Sequence, residues 1–308
     1  MSAGGSKGAL LAAAALMLNA FVWGVSWWPF RQLQAHGVHP LWATAIIYIV
    51  SLGCLLAVAP RAWRGLVQHP QLLLLMAASG LTNVGFNWAV TVGDVVRVVL
   101  LFYLMPLWAT LLAWPLLGER PTTTSLSRML LALVGVVIVL KTDNSAWPVP
   151  ESGADWLALM GGCSFALTNI LLRKLNHTPT ASRVLAMFGG GALMATSAAC
   201  LGLASGVVPL PPAPAAAWLV FAVALSLAFL VGNLALQYGA ARLSAHGTAL
   251  IMLSEVVFAS ASSMALGAGA LTGRTLLGGS MILLAALWSA LSNNALPAAA
   301  AGKRRGAN

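Results

Sequence analysis

The sequence predicts an all-α integral membrane protein, with ten transmembrane helices arranged as two inverted five-helix repeats. Three observations lead there. Apolar residues make up 60% of the 308 and charged residues only 7%, too little polar surface to cover a water-soluble fold. Apolar runs of about 20 residues, long enough to cross a hydrocarbon core as helices, recur along the whole chain. The two halves also resemble each other at a nearly constant offset.

Ten runs are expected as helices, over 8–30, 40–59, 70–92, 95–117, 126–140, 154–175, 181–205, 215–238, 246–267 and 275–293. The first is longer than a signal-peptide core and has no small-x-small cleavage site before Trp23, so it is read as a helix of the mature protein. Gly93-Asp94 is nearly the whole link between the third and fourth, and Asp94 and Ser244 read as N-caps of the fourth and ninth. Arg97 and His246 follow those caps, Arg97 as a surface anchor or gate charge and His246 as a solvated imidazole or a titrating group. The longest links, 141–155 and the proline-rich 207–214, are too short for a domain. Trp42, Trp63, Trp147, Trp156 and Trp218 lie near helix ends, where an aromatic belt belongs. Cys54, Cys163 and Cys200 are odd in number and fall inside helices, which indicates packing and neither disulfides nor a metal site.

The basic residues set the orientation. With the N-terminus inside, the inner side holds Lys7, Arg61, Arg64, Arg120, Arg128, Arg173, Lys174, Arg183, Arg242, Lys303, Arg304 and Arg305, and the outer side Arg31, Arg97, Lys141 and Arg274. This split of 12 against 4 predicts both termini in the cytoplasm. It also explains the net charge of +10 by topology and attraction to anionic lipid, leaving no case for nucleic acid as a partner.

The internal repeat bears on mechanism. Phe21–Arg31 lies on Cys163–Arg173 at an offset of 142, with Trp23 over Phe165; Asn87–Gly93 lies on Asn233–Gly239 at 146; Pro106–Gly118 lies on Glu255–Gly267 at 149. The predicted units are 1–145 and 146–308, the second ending in a short basic tail. Five crossings per unit, an odd number, invert the second relative to the first. Inverted repeats carry a ligand site near the midplane and work by alternating access.

Glu255 is the one acid deep inside an apolar run, too far from either end to snorkel. It reads either as a cavity-wall carboxylate that binds an ammonium or exchanges a proton, or as an acid that joins two helices. Pro106, its repeat partner, removes a backbone hydrogen bond and frees a carbonyl. Asn83 and Asn87 share a helical face with Ser79, and they and Asn233 act as ligand-binding amides or as glue between helices. Trp23, Trp88, Tyr103, Trp108 and Phe165 lie deep enough to stack on a substrate or pack against neighbours, with Trp23, Tyr103 and Phe165 singled out by the repeat. An enzyme is disfavoured, because neither His-Glu-x-x-His nor Gly-x-Ser-x-Gly occurs and only one of the six acids is deep. No cofactor is expected, and a passive channel is the remaining rival.

Trp23-Gly24, Tyr103–Trp108 running into Leu116–Pro121, and Ser254–Phe258 running into Ala265–Gly267 also resemble the drug/metabolite transporter superfamily. The match is to its ten-helix branch with two EamA-type repeats, and within that to the bacterial aromatic amino-acid exporter group. The resemblance implies a monomeric inner-membrane exporter of amino acids, aromatic or otherwise apolar, or of related small metabolites, with a multidrug carrier of the same fold as the alternative. It implies a central cavity lined by the first, third and fourth helices and by the sixth, eighth and ninth, with protons as the coupling ion or facilitated diffusion in their place. Two departures stand out. Glu255-Val256 replaces the Glu-Pro of many relatives, removing one reason for a kink, and Ala268 faces Glu119 in the repeat, leaving Glu119 a helix-end residue.

Overall fold

A computed structural model describes residues 3–118, 122–141, 149–240, 242, 251–268 and 272–292, and among them it is entirely helical. The elements are α1 (Ala3–Val25), α2 (Trp27–Ala35), α3 (Pro40–Val58), α4 (Arg64–Gln68), α5 (Leu72–Val92), α6 (Val95–Phe102), α7 (Met105–Leu117), α8 (Thr123–Leu140), α9 (Gly153–Lys174), α10 (Thr180–Ala204), α11 (Ala216–Ala240), α12 (Ser254–Ala265) and α13 (Gly273–Ser292). Seven of the described helical spans are long and apolar enough to cross a membrane, and α8 and α13 carry shorter apolar stretches. Glu119, Ser244 and His246 lie outside the described residues.

Local chemistry sets the helix ends. Asp94 caps α6 by accepting the Arg97 N–H at 2.8 Å, as its sequence position predicts. His39 caps α3 through Nδ1, which accepts the Leu41 N–H at 3.2 Å, with Pro40 in the first turn. Burial holds this imidazole below its usual pKa, so the ring stays neutral and keeps its accepting lone pair. Ser152 and Asp155 form a capping box on α9. Gly118 closes α7 at a φ of +71°, a left-handed conformation that costs glycine nothing.

The fourth and ninth runs are each interrupted, where the sequence predicts unbroken helices. Between α6 and α7 the chain makes a turn at Tyr103-Leu104, and Pro106 falls at the second position of the new helix, where no N–H is needed. The missing Pro106 N–H is the one that would have bonded to the Phe102 carbonyl. In the ninth run a turn at Leu253 precedes α12 with no proline present. There the Val256 N–H bonds to Leu253 at 3.2 Å, a tighter i−3 pairing, and two hydroxyls lie within reach of the carbonyls beside the turn. Tyr103 Oη lies 3.2 Å from the Met252 carbonyl and Ser254 Oγ bonds to Ile251 at 2.6 Å. The first run also bends, at Ser26, whose hydroxyl bonds back to Trp23 at 2.8 Å. Glu255 therefore sits in the first turn of a helix just past a break, not about ten residues into a continuous one.

Glycines let the helices approach closely, as expected where lipid supplies no hydrophobic drive between them. A methyl at Gly80 of α5 would come 2.6 Å from the Gly190 carbonyl of α10, and one at Gly85 would come 2.8 Å from Leu157 of α9. Gly135 of α8 and Gly278 of α13 face each other reciprocally: a methyl on either would come 2.6 or 2.5 Å from the other's carbonyl. A methyl at Gly24 of α1 would come 2.7 Å from the Glu255 carbonyl, and one at Gly239 of α11 would come 2.8 Å from the Ala12 carbonyl of α1. α1 thus packs on α11 and α12, while α9 packs on α5, α6 and α7. Leucine, valine, tryptophan and methionine side chains cover the outside of the bundle, which suits acyl chains and not water.

A leucine at position 190 must displace the Met76 backbone, so Gly190→Leu is expected to cost at least about 1–3 kcal/mol of stability. Gly53, with nothing within 4 Å, should accept the same change at little cost. Thermal unfolding in detergent, followed by loss of the monodisperse peak, compares the two.

Candidate functional site

Glu255 is 7% exposed and Tyr103 is 2% exposed, and they meet across the bundle from α12 and the α6–α7 turn. Tyr103 Oη is 3.1 Å from Glu255 Oε2 and 3.2 Å from the Met252 carbonyl. A phenol carries one proton, so it donates to one of these two acceptors at a time. Both breaks place a polar group here: the α6–α7 turn presents the Tyr103 hydroxyl, and the turn at Leu253 exposes the Met252 carbonyl that Tyr103 meets. Trp108 lies on α7 beyond the turn and packs into the same apolar cluster, its indole Nε1 buried with no hydrogen-bond partner.

Asn19 of α1 joins the group through Met252, with its Nδ2 donating to Met252 Sδ at 3.4 Å. A thioether sulfur has no proton to give, so the amide nitrogen is the atom that faces it. The amide oxygen of Asn19 is left buried with no donor. Nothing in the composition or the repeat points to this residue; its one signal is an amide in the otherwise apolar run 10–23.

Asn83 and Asn87 of α5 face α3. Tyr48 donates to Asn83 Oδ1 at 2.6 Å, and Asn83 Nδ2 reaches Ser79 Oγ at 3.5 Å. Asn87 Nδ2 reaches Thr44 Oγ1 at 3.4 Å, and its Oδ1 is buried without a partner. Asn83 is thus bonded between helices, while Asn87 keeps a free acceptor.

The aromatic residues form a continuous wall. Trp23 stacks on Phe229 of α11 at 4.5 Å and meets Phe86 of α5 edge-on at 6.1 Å. Phe86 lies 4.7 Å from Phe102, and Phe102 lies 5.3 Å from Phe165 of α9. Trp23 and Phe165, paired by the repeat, therefore lie on one chain of rings. Trp88 lies apart, against His39 at 5.3 Å.

A second polar group, which the sequence reading did not assemble, ties the bundle together at the Asp94 end. Arg97 Nε and Nη2 bond to the two Asp155 oxygens at 2.9 Å each, and Nη1 bonds to the Val139 carbonyl at 2.9 Å. One guanidinium thus links α6, α8 and α9. Asp155 is 2% exposed and also accepts from the Glu151 N–H at 3.1 Å. Beside it, Arg31 donates to the Gly93 carbonyl and lies 5.3 Å over the Trp27 ring. It also borders an open groove of about 530 Å³ with Gln34, Ala35, Thr91 and Val92. The Ser152-x-x-Asp155 spacing was the available signal for Asp155, which capping and ion pairing both use.

Residues 8–141 match the model of the EamA-like transporter family. That family comprises multi-pass membrane transporters of the drug/metabolite class, and the match spans under half of this chain. No curated protein matches the chain. Fifteen chains of solved structures match. One of them, described only as "Crystal structure of protein", is 18% identical over 95% of this chain and 99% of its own, with a TM-score of 0.55. That likeness extends a shared fold along nearly the whole length.

Removing one partner of the Arg97–Asp155 pair leaves a charge in a dry setting. Asp155→Ala is expected to lower stability by about 3 kcal/mol, the low end for a buried pair because Arg97 keeps some solvent contact. The double change Arg97→Met with Asp155→Leu should cost less than either single change, as read from unfolding midpoints of all variants.

Proposed function

We propose that this chain, whose residues 8–141 match the EamA-like transporter family, is a carrier that exports small metabolites bearing an amino group by alternating access. The carrying observation is the buried carboxylate of Glu255, met by Tyr103 between two interrupted helices and bordered by an aromatic wall. A charge at that depth is costly, and binding a cationic group or a proton is what offsets it. In this reading Glu255 is the coupling and ligand group, and Trp23, Phe165 and Trp108 contribute ring faces. Tyr103 orients Glu255, Asn87 offers an acceptor, and Asn83 holds α5 to α3. Pro106 fixes where α7 begins.

The architecture proposed is two inverted five-helix units, 1–145 and 146–308, making ten crossings. Reciprocal packing supports it: α1 lies on α11 and α12 as α9 lies on α5, α6 and α7. Paired local features support it as well. The turns at Leu104 and Leu253 are 149 residues apart, as are the left-handed Gly118 and Gly267. Thr122 accepts the Ser125 N–H and Thr272 the Thr275 N–H, both at 3.1 Å and 150 residues apart. The basic-residue split puts both termini in the cytoplasm of a bacterial inner membrane and the Arg97–Asp155 group on the outer side. Protons are the proposed coupling ion.

Reconstituted protein should give saturable efflux and counterflow of labelled amino compounds, faster against an opposing proton gradient. Glu255→Gln should lose at least about 100-fold of the flux, the scale of a step that depends on one charged group. Flux that rises linearly with gradient and shows no counterflow would replace the carrier by a pore.

A further inference from the structure

The groups that border Glu255 restrict the substrate further, an inference that rests on the carrier reading above. Each can be sorted by what it offers a ligand. Glu255 brings a negative charge, Asn19, which reaches Met252 three residues before Glu255, a buried carbonyl oxygen without a donor, and Asn87 another on α5, facing α3. The aromatic wall brings ring faces, whose negative quadrupole attracts cations. Against these acceptors stands one unpartnered neutral donor in the same cluster, the Trp108 indole N–H.

The described cations are elsewhere. Arg97 is spent on Asp155 and Val139. Arg31 is seven residues beyond Gly24, which touches the Glu255 backbone (31 − 24 = 7), and that is a rise of roughly 10 Å along a helix. The ammonium and carboxylate of an α-amino acid hang on one carbon atom. An α-amino acid whose ammonium meets Glu255 therefore leaves its own carboxylate beside Glu255 and the orphan carbonyl of Asn19, with no positive charge in reach among the described residues. An unpaired anion in such a place is strongly disfavoured.

We propose that the site selects organic monocations, a primary or secondary ammonium on an apolar or aromatic body without a carboxylate, over the corresponding α-amino acids. The ammonium N–H groups go to Glu255 and to the Asn19 Oδ1 that lacks a donor, and the body lies along Trp23, Phe229 and Phe86. Amine and amino acid share every contact except those of the carboxylate, so the difference between them isolates that group.

The test is equilibrium binding to the purified full chain, read by quenching of tryptophan fluorescence and by calorimetry. The probes are 2-phenylethylamine, phenylalanine and 2-phenylethanol, which share one ring. The expected result is amine binding tighter than amino acid by on the order of 100-fold, with the neutral alcohol as weak as the amino acid. Glu255→Gln should reduce amine affinity by at least about tenfold, and Asn19→Leu by a smaller factor, leaving the alcohol unchanged in both. Thermal unfolding midpoints close to wild type establish that each variant is folded. Phenylalanine binding as tightly as the amine, or no binding of the amine, overturns the proposal. Counterflow of other solutes would survive either outcome, so the carrier reading stands or falls separately.

Discussion

Hydrocarbon neither donates nor accepts a hydrogen bond, and this one fact governs where the chain departs from helix. Every carbonyl released inside the bundle has to find a donor that belongs to the protein. At the ninth run the Leu253 turn releases two, and hydroxyls from Ser254 and Tyr103 reach them. At the fourth, Pro106 strips the Phe102 carbonyl of its usual N–H partner, and the carbonyl lies against Gly162 of α9, where a methyl would come within 2.6 Å. The irregular backbone is confined to protein-lined positions, and those positions bring Tyr103 and Glu255 together.

Close packing does the rest. Because α1 rests on α12 through Gly24, the backbone of Glu255 is held against the first helix, and Asn19 and Trp23 on that helix fall beside it. On the other side, Gly162 and Gly85 bring α9 against α6 and α5, which sets Phe165, Phe102 and Phe86 in one row. Arg97 binds this second group together at its end through Asp155 and Val139. Few side-chain links join the two groups: the Tyr103 hydroxyl on α12, Arg31 on Gly93, and the Trp23–Phe86 edge contact. In the proposed carrier these are the contacts that a rocking motion has to exchange.

The sequence announced the elements well and the breaks poorly. Apolar runs at 40–59, 154–175 and 181–205 match α3, α9 and α10 to within a residue, because lipid-spanning length is a strong and local signal. The turn at Leu253 was hidden because no proline or glycine marks it; the stabilising groups are the hydroxyl of Ser254 and that of Tyr103, which is 149 residues before Met252. Glu255 and Tyr103 were both legible as candidates, the first by its cost in lipid and the second by the repeat, yet their contact was not. Asn19 and Asp155 were overlooked for opposite reasons. Asn19 is a single amide whose meaning depends on Met252, far away in the chain, and Asp155 sits in a segment whose polarity reads as a loop.

In the proposed carrier the Tyr103 proton connects the ligand to the helix break. With one proton and two acceptors at nearly equal distance, the phenol follows whichever accepts more strongly, and a free carboxylate outcompetes a neutral carbonyl. A cation on Glu255 weakens that claim and releases the phenol toward Met252, where it supplies the hydrogen bond that the broken ladder lacks. Ligand occupancy and the support of the Leu253 turn are therefore two states of one hydrogen atom. Linkage of this kind requires that whatever stabilises the turn also alters affinity for the cation, by the same factor in both directions. A carrier built on interrupted helices needs no separate device to report that its site is filled.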